Sequence, residues 1–304
     1  MIGAVDIGGT KIAAGVVHPD GILLSSEQCP TLPERGMDDA LQRMADMLQR
    51  CADGRPLVGI GVGCTGPVDP LLGVVGNVEF MPEWEGGNLS MGLEKLTGLL
   101  TVLENDADAA ALGEAAWGVG RGSERFIYVT LSTGIGVGLV FDGRLYRGVG
   151  GAHPEIGHHV IDAGGPLCPC GARGCWEALA SGTALAGLLP GLSAEETCQQ
   201  AEAGDPQALA AVGQVARSMG IGLANLITLY TPDVIAVGGG LMKSRSLFWQ
   251  TILDTIREQC RLVPYEQTRL LPAGLGEHAG LIGAAAAWIN RQHHDEDDGE
   301  PIHF

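Results

Sequence analysis

Two stretches of the chain share one pattern of apolar and polar positions. Residues 5–17 (VDIGGTKIAAGVV) and 129–141 (VTLSTGIGVGLVF) each run apolar, break at a Gly/Thr turn and run apolar again. Each then reaches an Asp-Gly pair, Asp20-Gly21 and Asp142-Gly143. Asp-Gly beside β-rich residues signals a hairpin, so each stretch predicts strand, tight turn, strand, turn, strand. Such a repeat at the front of each half predicts two similar α/β lobes.

Between the repeats the period changes. Met37, Ala40, Leu41, Met44, Met47, Leu48 and Cys51 fall at helical spacing. Residues 57–63 (LVGIGVG) and 99–105 (LLTVLEN) read as short buried strands. DADAAALGEAAW (106–117) follows at once as an Ala-rich helix with acids in its first turn, the end where the helix dipole favours them. Asn105-Asp106 therefore stand where a strand hands over to a helix, the place where open α/β sheets bind ligands. Farther on, Asp205-Pro206 is an N-cap with proline at the first helical position, opening a helix to about Tyr230. VIAVGGG (234–240) reads as a strand entering a glycine turn, and 278–292 as a final helix. The acidic end, HHDEDDGEPIHF, reads as a solvated, frayed tail.

Composition narrows the function classes. Apolar residues are 45% and charged residues 18% of 304, the balance of a soluble globular protein. The formal net charge is −18, with 18 Lys and Arg against 36 acids, which disfavours a nucleic-acid partner. An anionic substrate must then be held by backbone amides, a metal ion and a few placed cations. The start has no basic leader and the longest uncharged, apolar-looking run, 126–141, is too short and too polar to span a bilayer. No membrane partner and a cytoplasmic location are the expectations. The 48 glycines follow no strict triplet repeat, so they mark turns and close approaches.

Three of the eight cysteines crowd into CPCGARGC, and a histidine precedes the first by ten residues. A reducing compartment disfavours a disulfide, which would also strand one thiol, and no Cys-X-X-Cys pair is present for redox chemistry. His158, Cys168, Cys170 and Cys175 instead make the N/S donor set that tetrahedral Zn²⁺ prefers. With four protein ligands no open position remains, so the expected zinc, one per chain, is structural. Cys29, Cys51, Cys64, Cys198 and Cys260 are scattered singly and read as small buried hydrophobes.

The glycine turns carry the remaining chemistry. DIGGTK (6–11) lacks P-loop spacing and precedes a strand. It is either a plain hairpin turn or an anion nest, with Asp6 orienting a Mg²⁺-bound water and Lys11 neutralising phosphate. The second copy, STGIGVG (132–138), favours the phosphate cradle. Gly61, Gly63 and Gly66 spell a dinucleotide fingerprint, but Pro67 follows and no helix opens, so a nicotinamide site is not expected. The GPVD loop reads either as a close-approach loop or as an ordinary one. Asn105-Asp106 is either a helix cap or an amide and base beside an attacking hydroxyl. A carboxylate at a helix N-terminus is expected to have a lowered pKa. Glu155 and Glu177 flank the metal ligands; each alone reads as a surface charge, but a rigid loop would fix both carboxylates as acceptors for paired hydroxyls.

Taken together, DIGGTK, GPVD, END (104–106), STGIGVG, EIGH (155–158), CPCGARGCWE and VGGG resemble the ROK family of sugar kinases and repressors, most closely its bacterial glucokinases. The resemblance spans 5–287. It implies an α/β, actin-like ATPase (ribonuclease H-like) fold with two α/β lobes around a central cleft that holds ATP. The expected division is a smaller lobe at 1–107, rejoined by the last helix at 279–292, a larger lobe with the zinc loop at 108–278, and a disordered tail at 293–304. Asp106 looks like the catalytic base. Gly66, Asn105, Asp106, Glu155, His158 and Glu177 look like the sugar site. Asp6, Gly8, Gly9, Thr10, Lys11, Thr133, Gly134, Gly136, Gly239 and Gly240 would line the nucleotide site. The implied activity is Mg²⁺- and ATP-dependent phosphorylation of a hexose, glucose at O6 in first place, by a homodimer. Fructose, mannose or an N-acylhexosamine are alternative acceptors, polyphosphate an alternative donor, and a silent sugar sensor the alternative of another class. With the first glycine turn at residue 6, no DNA-reading domain is expected before it. His153-Pro154 stand where glucokinases of the family commonly have a smaller residue, and GNVEFMPEWEGG (76–87) assigns no single sugar.

Overall fold

A computed structural model describes residues 1–78 and 81–297. In chain order, β1 (Ile2–Ile7), β2 (Lys11–Val17) and β3 (Leu23–Pro30) form an antiparallel meander followed by α1 (Met37–Ala52). Next come β4 (Ile60–Cys64), the two-residue hairpin strands β5 (Val68–Asp69) and β6 (Val74–Val75), α2 (Leu89–Thr97), β7 (Thr101–Asn105) and α3 (Asp106–Trp117). The second meander is β8 (Arg125–Leu131), β9 (Ile135–Phe141) and β10 (Arg144–Leu145). The helices α4 (Trp176–Ala180), α5 (Gly182–Leu188), α6 (Ala194–Glu202) and α7 (Pro206–Tyr230) precede β11 (Val234–Gly238). The chain ends in α8 (Arg245–Gln259), β12 (Arg269–Pro272) and α9 (Ala279–Asp297).

The first sheet is ordered β3-β2-β1-β4-β7, with β1, β4 and β7 parallel. All five residues of β4 are buried, as expected of a parallel strand covered on both faces. Alternation along β1 explains the two layers: Val5 and Ile7 pack with Met44 and Leu48 of α1, whereas Ala4 packs with Leu281 and Ala284 of α9. The α9 layer comes unusually close. A Cβ at Gly61 would lie 1.8 Å from the Ala284 carbonyl oxygen, and one at Gly283 would lie 2.4 Å from that of Ala109 in α3. The second sheet is ordered β10-β9-β8-β11-β12, with β11 parallel to β8 and β12.

Two compact units emerge, and their limits differ from those expected. One comprises 1–122, 138–154 and 274 onward; the other comprises 123–137 and 155–273. The expected boundary at 107/108 would cut away α3, but α3 packs on α9 through Gly113 and Gly283, which ties it to the first unit. The last helix runs to Asp297 rather than 292, so the expected disordered tail at 293–304 begins as helix, and 298–304 lie outside the described residues. Strands expected at 57–63 and 99–105 begin later, at Ile60 and Thr101. After the apparent dinucleotide fingerprint no helix opens: Gly66 has φ 82° and β5 follows.

Candidate active site and metal loop

In the first unit β7 ends and α3 begins at one peptide bond, and the expected amide and carboxylate stand on either side of it. Asn105 caps α3, its side-chain oxygen accepting from the amides of Ala107 (2.9 Å) and Asp108 (3.3 Å). Its Nδ2 donates to the Gly66 carbonyl at 3.1 Å, which draws the GPVD loop to the same point. Asn105 is thus a cap as well as a candidate ligand. Asp106 Oδ1 accepts from the Ala107 amide at 2.8 Å.

The expected lowering of the Asp106 pKa is overturned. Burial pushes it up to about 7, and the neighbouring Asp6 carboxylate pushes the same way. The Ala107 amide opposes this but does not win. Asp106 keeps some surface open to solvent, yet it is densely surrounded by protein, and the lost hydration outweighs the helix end. A carboxylate near pH 7 is better matched to general-base work than an ordinary one.

Asp6 is the penultimate residue of β1, and its pKa is also raised, by burial first, with Lys11 opposing. A Cβ on Gly280, in the first turn of α9, would come within 2.3 Å of Asp6 Oδ2, so α9 can start beside this carboxylate only with glycine there. From Asp6 the chain turns through Gly8, Gly9 and Thr10 to Lys11, closing on the Gly8 amide donating to the Lys11 carbonyl at 2.9 Å. Gly9, Thr10 and Lys11 are exposed. Thr31 pins the turn from β3's end: its hydroxyl donates to the Gly8 carbonyl at 2.7 Å and its amide to that of Thr10 at 3.1 Å.

The second unit assembles the other candidates. The turn between β8 and β9 holds Thr133 and Gly134, and the Gly182 amide at the start of α5 donates to the Ser132 carbonyl at 2.7 Å. Thr183 donates to the Thr133 carbonyl through both amide and hydroxyl. Gly239, with φ 93°, lets the turn after β11 pass beside β8's end, since a Cβ there would lie 2.3 Å from the Leu131 carbonyl oxygen. Gly240 lies beside Ser132. Thr133, Gly134, Gly239 and Gly240 are therefore brought together, while Gly136 lies inside β9 rather than in the turn.

His158, Cys168, Cys170 and Cys175 converge, their ligand atoms all within 4.8 Å of one another. His158 Nδ1 lies 3.5 Å from Cys168 Sγ, and Cys170 Sγ lies 3.5 Å from Cys175 Sγ. One imidazole and three thiols at this spacing fit a tetrahedral Zn²⁺. His158 Nε2 faces Glu177 Oε1 at 3.9 Å, the outer carboxylate that commonly orients a metal-bound histidine. The loop folds by backbone bridges, Val160 with Cys175 and Leu167 with Arg173. It also needs Gly174, because a Cβ there would meet the Asp162 carbonyl oxygen at 1.5 Å. Glu155 is exposed at the turn that leads into His158.

Several participants escape sequence reasoning. His159 contacts the Ile156 carbonyl through Nδ1 (2.6 Å) and Asn225 of α7 through Nε2 (3.1 Å), and tilts against Trp176 with ring centroids 5.5 Å apart. Trp176 in turn donates to the Ser218 carbonyl, so α7 anchors the metal loop. In the first unit Arg147 pairs with Glu104 and lies 3.5 Å from Asp108, whose Oδ2 also contacts His153 Nδ1 at 2.8 Å. The doubled histidine was the one available signal for His159; nothing in sequence spacing links Glu104, Asp108, Arg147 and His153.

Comparison with known proteins agrees with this geometry. A ROK family model matches residues 2–291. A glucokinase of Thermotoga maritima is 33% identical over 301 residues, covering 93% of this chain and 95% of that protein. The crystal structure of a ROK hexokinase from Thermus thermophilus matches with TM-score 0.85 and 37% identity, covering 96% of this chain and 99% of that one. That of a ROK family glucokinase from Streptomyces griseus, in complex with glucose and AMPPNP, matches with TM-score 0.81 and 34% identity, with the same coverage. With its mixed sheets, capped α3 junction and Cys/His loop, the chain has the actin-like ATPase fold of these kinases and belongs to the ROK family.

Proposed function

We propose that this chain is an ATP-dependent glucokinase that phosphorylates glucose at O6. The observation that carries the reading is Asp106, a carboxylate fixed at the β7–α3 junction and poised near pH 7. As the sugar oxygen bonds to the γ-phosphorus, its proton passes to Asp106 and the bond from that phosphorus to the ADP oxygen breaks. The backbone of Gly8–Lys11, the Thr133–Gly134 turn and the Gly239–Gly240 turn are assigned to the nucleotide. Asn105, Glu155, His158 and Glu177 are assigned to the sugar hydroxyls. When bound with ATP, Mg²⁺ supplies charge neutralisation at the phosphates, and Asp6 is the carboxylate best placed to orient its water shell. Zinc is assigned to His158, Cys168, Cys170 and Cys175, where it keeps the loop bearing Glu177 rigid. The complex of the Streptomyces griseus relative with glucose and AMPPNP supports both substrates.

A homodimer in the cytoplasm completes the reading. Among the described residues no helix is long and apolar enough to cross a membrane. The test is ADP release with Mg-ATP against glucose, mannose, fructose, N-acetylglucosamine and N-acetylmannosamine, beside Asp106→Asn. Turnover with glucose that the variant lacks is the expected result. Turnover with another sugar replaces the substrate, and no turnover on any defeats the kinase reading. Light scattering checks the dimer against the 31.5 kDa chain.

A further inference from the structure

Thr31 follows the last residue of β3, is 1% exposed, and directs both of its donors at one turn. Its hydroxyl reaches the Gly8 carbonyl at 2.7 Å and its amide the Thr10 carbonyl at 3.1 Å. In a trans peptide the carbonyl and the next amide point in opposite directions, and no peptide bond among the described residues is cis. Bonding of the Gly8 carbonyl to Thr31 therefore aims the Gly9 amide away from Thr31, in a turn where Gly9, Thr10 and Lys11 are exposed. The Thr10 carbonyl, whose oxygen would repel an anion, is held against β3's end by the same residue.

Thr31 is itself gripped from α1. Arg43 donates through Nη1 to the Pro30 carbonyl and through Nη2 to the Thr31 carbonyl, each at 2.7 Å, while its Nε pairs with Asp39 Oδ2 at 2.7 Å. Both carbonyls lie just before Leu32, whose φ of 50° is unfavourable for a residue with a Cβ. Two charge-assisted bonds from one planar guanidinium thus hold the chain where its backbone resists. A series of hydrogen bonds runs from α1 through Thr31 to the Gly8 carbonyl.

We propose that Thr31 and Arg43 are positioning residues for the phosphates of ATP, acting through the Gly8–Lys11 turn rather than by contact. They keep the Gly8 and Thr10 carbonyls turned in, so that the turn offers amides to an anion. The inference rests on the reading of that turn as a phosphate cradle and is independent of which sugar is phosphorylated. A brace of the fold alone would lower the melting temperature when lost and leave nucleotide affinity as it was. Bonds placed on the carbonyls of the turn instead predict an effect on the nucleotide and not on the sugar.

The test compares wild type, Thr31→Val, Thr31→Ser and Arg43→Gln by calorimetric titration with Mg-AMPPNP and by the KM values for ATP and for the sugar, all well below each melting midpoint. Thr31→Val keeps the shape and the amide but removes the hydroxyl. It should weaken AMPPNP and raise KM for ATP by about tenfold, with KM for the sugar within about twofold of wild type. Thr31→Ser restores the hydroxyl and should bring the affinity back to within about threefold. Arg43→Gln, at a partly exposed helix position, should weaken AMPPNP by about threefold and reads the same role if the valine variant does not fold. AMPPNP binding that is the same in wild type, Thr31→Val and Arg43→Gln overturns the positioning role alone. So does a loss that falls equally on ATP and sugar, or one that serine does not repair. Wild type that binds no AMPPNP overturns the phosphate-cradle reading and this role with it.

Discussion

Glu177 Oε2 accepts a hydrogen bond from the Ile135 amide at 2.8 Å, while its Oε1 faces His158 Nε2 at 3.9 Å. One carboxylate thus joins the Cys/His loop to the start of β9, next to the Thr133–Gly134 turn. Gly134 has no room for a side chain there, since its Cβ would lie 2.5 Å from Glu177 Oε2. Glu177 thus ties the Cys/His loop to the glycine turn, beside the bonds that Gly182 and Thr183 make to Ser132 and Thr133.

Loss of a metal ligand should act through that carboxylate. Cys170 is the exposed thiol of the set, so Cys170→Ser disturbs packing least. Elemental analysis should show zinc falling from about one per chain to a trace, with a lower melting temperature. The KM for glucose should rise by about tenfold or more, with a smaller change in kcat, because the loop orients substrate rather than reacting. Metal-free protein with wild-type KM would end the assigned role.

Asp106→Asn keeps the size of the side chain and its contact with the Ala107 amide but removes the base. The expected loss in kcat is about 10²–10⁴-fold with the glucose dissociation constant within about threefold of wild type. A variant that turns over normally would remove Asp106 from the mechanism.

The same residue predicts a pH profile. With its pKa pushed up to about 7, Asp106 is a competent base only when ionised, so kcat/KM should climb as pH rises through about 7. Asp6 raises that pKa by like charge. Asp6→Asn should therefore move the acid limb to lower pH, whatever it does to the height of the profile. An unmoved limb would show that burial alone sets the pKa.

Much of this architecture was legible because local signals agreed. Asn105 before DADAAALGEAAW, and Asp205-Pro206 before α7, place helix starts where capping chemistry requires them. The four clustered Cys/His donors were legible because a short loop can bring them together without help from the rest of the fold. The pKa direction of Asp106 was not, since the helix end is visible in sequence and burial is not. Nor were the limits of the units, which depend on α3 meeting α9 across about 170 residues of chain through Gly113 and Gly283. The Glu104–Arg147–Asp108–His153 cluster has the same cause: its members carry no spacing signal and meet only in the folded chain.

That α3–α9 contact gives a stability prediction separate from the chemistry. A methyl group at Gly283 must displace the backbone of Ala109, because its Cβ would lie 2.4 Å from that carbonyl oxygen. Overpacking of this kind costs about 1–3 kcal/mol, and helix backbone yields less readily than a side chain. Gly283→Ala should lower the denaturant midpoint accordingly, while Gly36→Ala, where a Cβ meets nothing, tests only the cost of its φ of 80°.

Stability should also depend on pH, and with a definite sign. Asp106 and Glu104 each have a pKa raised to about 7, and burial is the leading cause for both. Unfolded, they titrate at about 3.9 and 4.3. Between those values and about 7 the folded chain binds more protons than the unfolded one, so folding is favoured at low pH and loses stability as pH rises through 7. Other carboxylates act oppositely: Asp233 is held low by the Arg125 amide and loses its contribution only as pH falls below the usual carboxylate range. The ligand-free protein should therefore melt higher at pH 6 than at pH 8. Asp106→Asn, which has nothing to ionise, should raise the melting temperature at pH 8 and flatten that difference. If wild type and variant show the same pH dependence between 6 and 8, Asp106 is already ionised at pH 6 and the raised pKa is wrong.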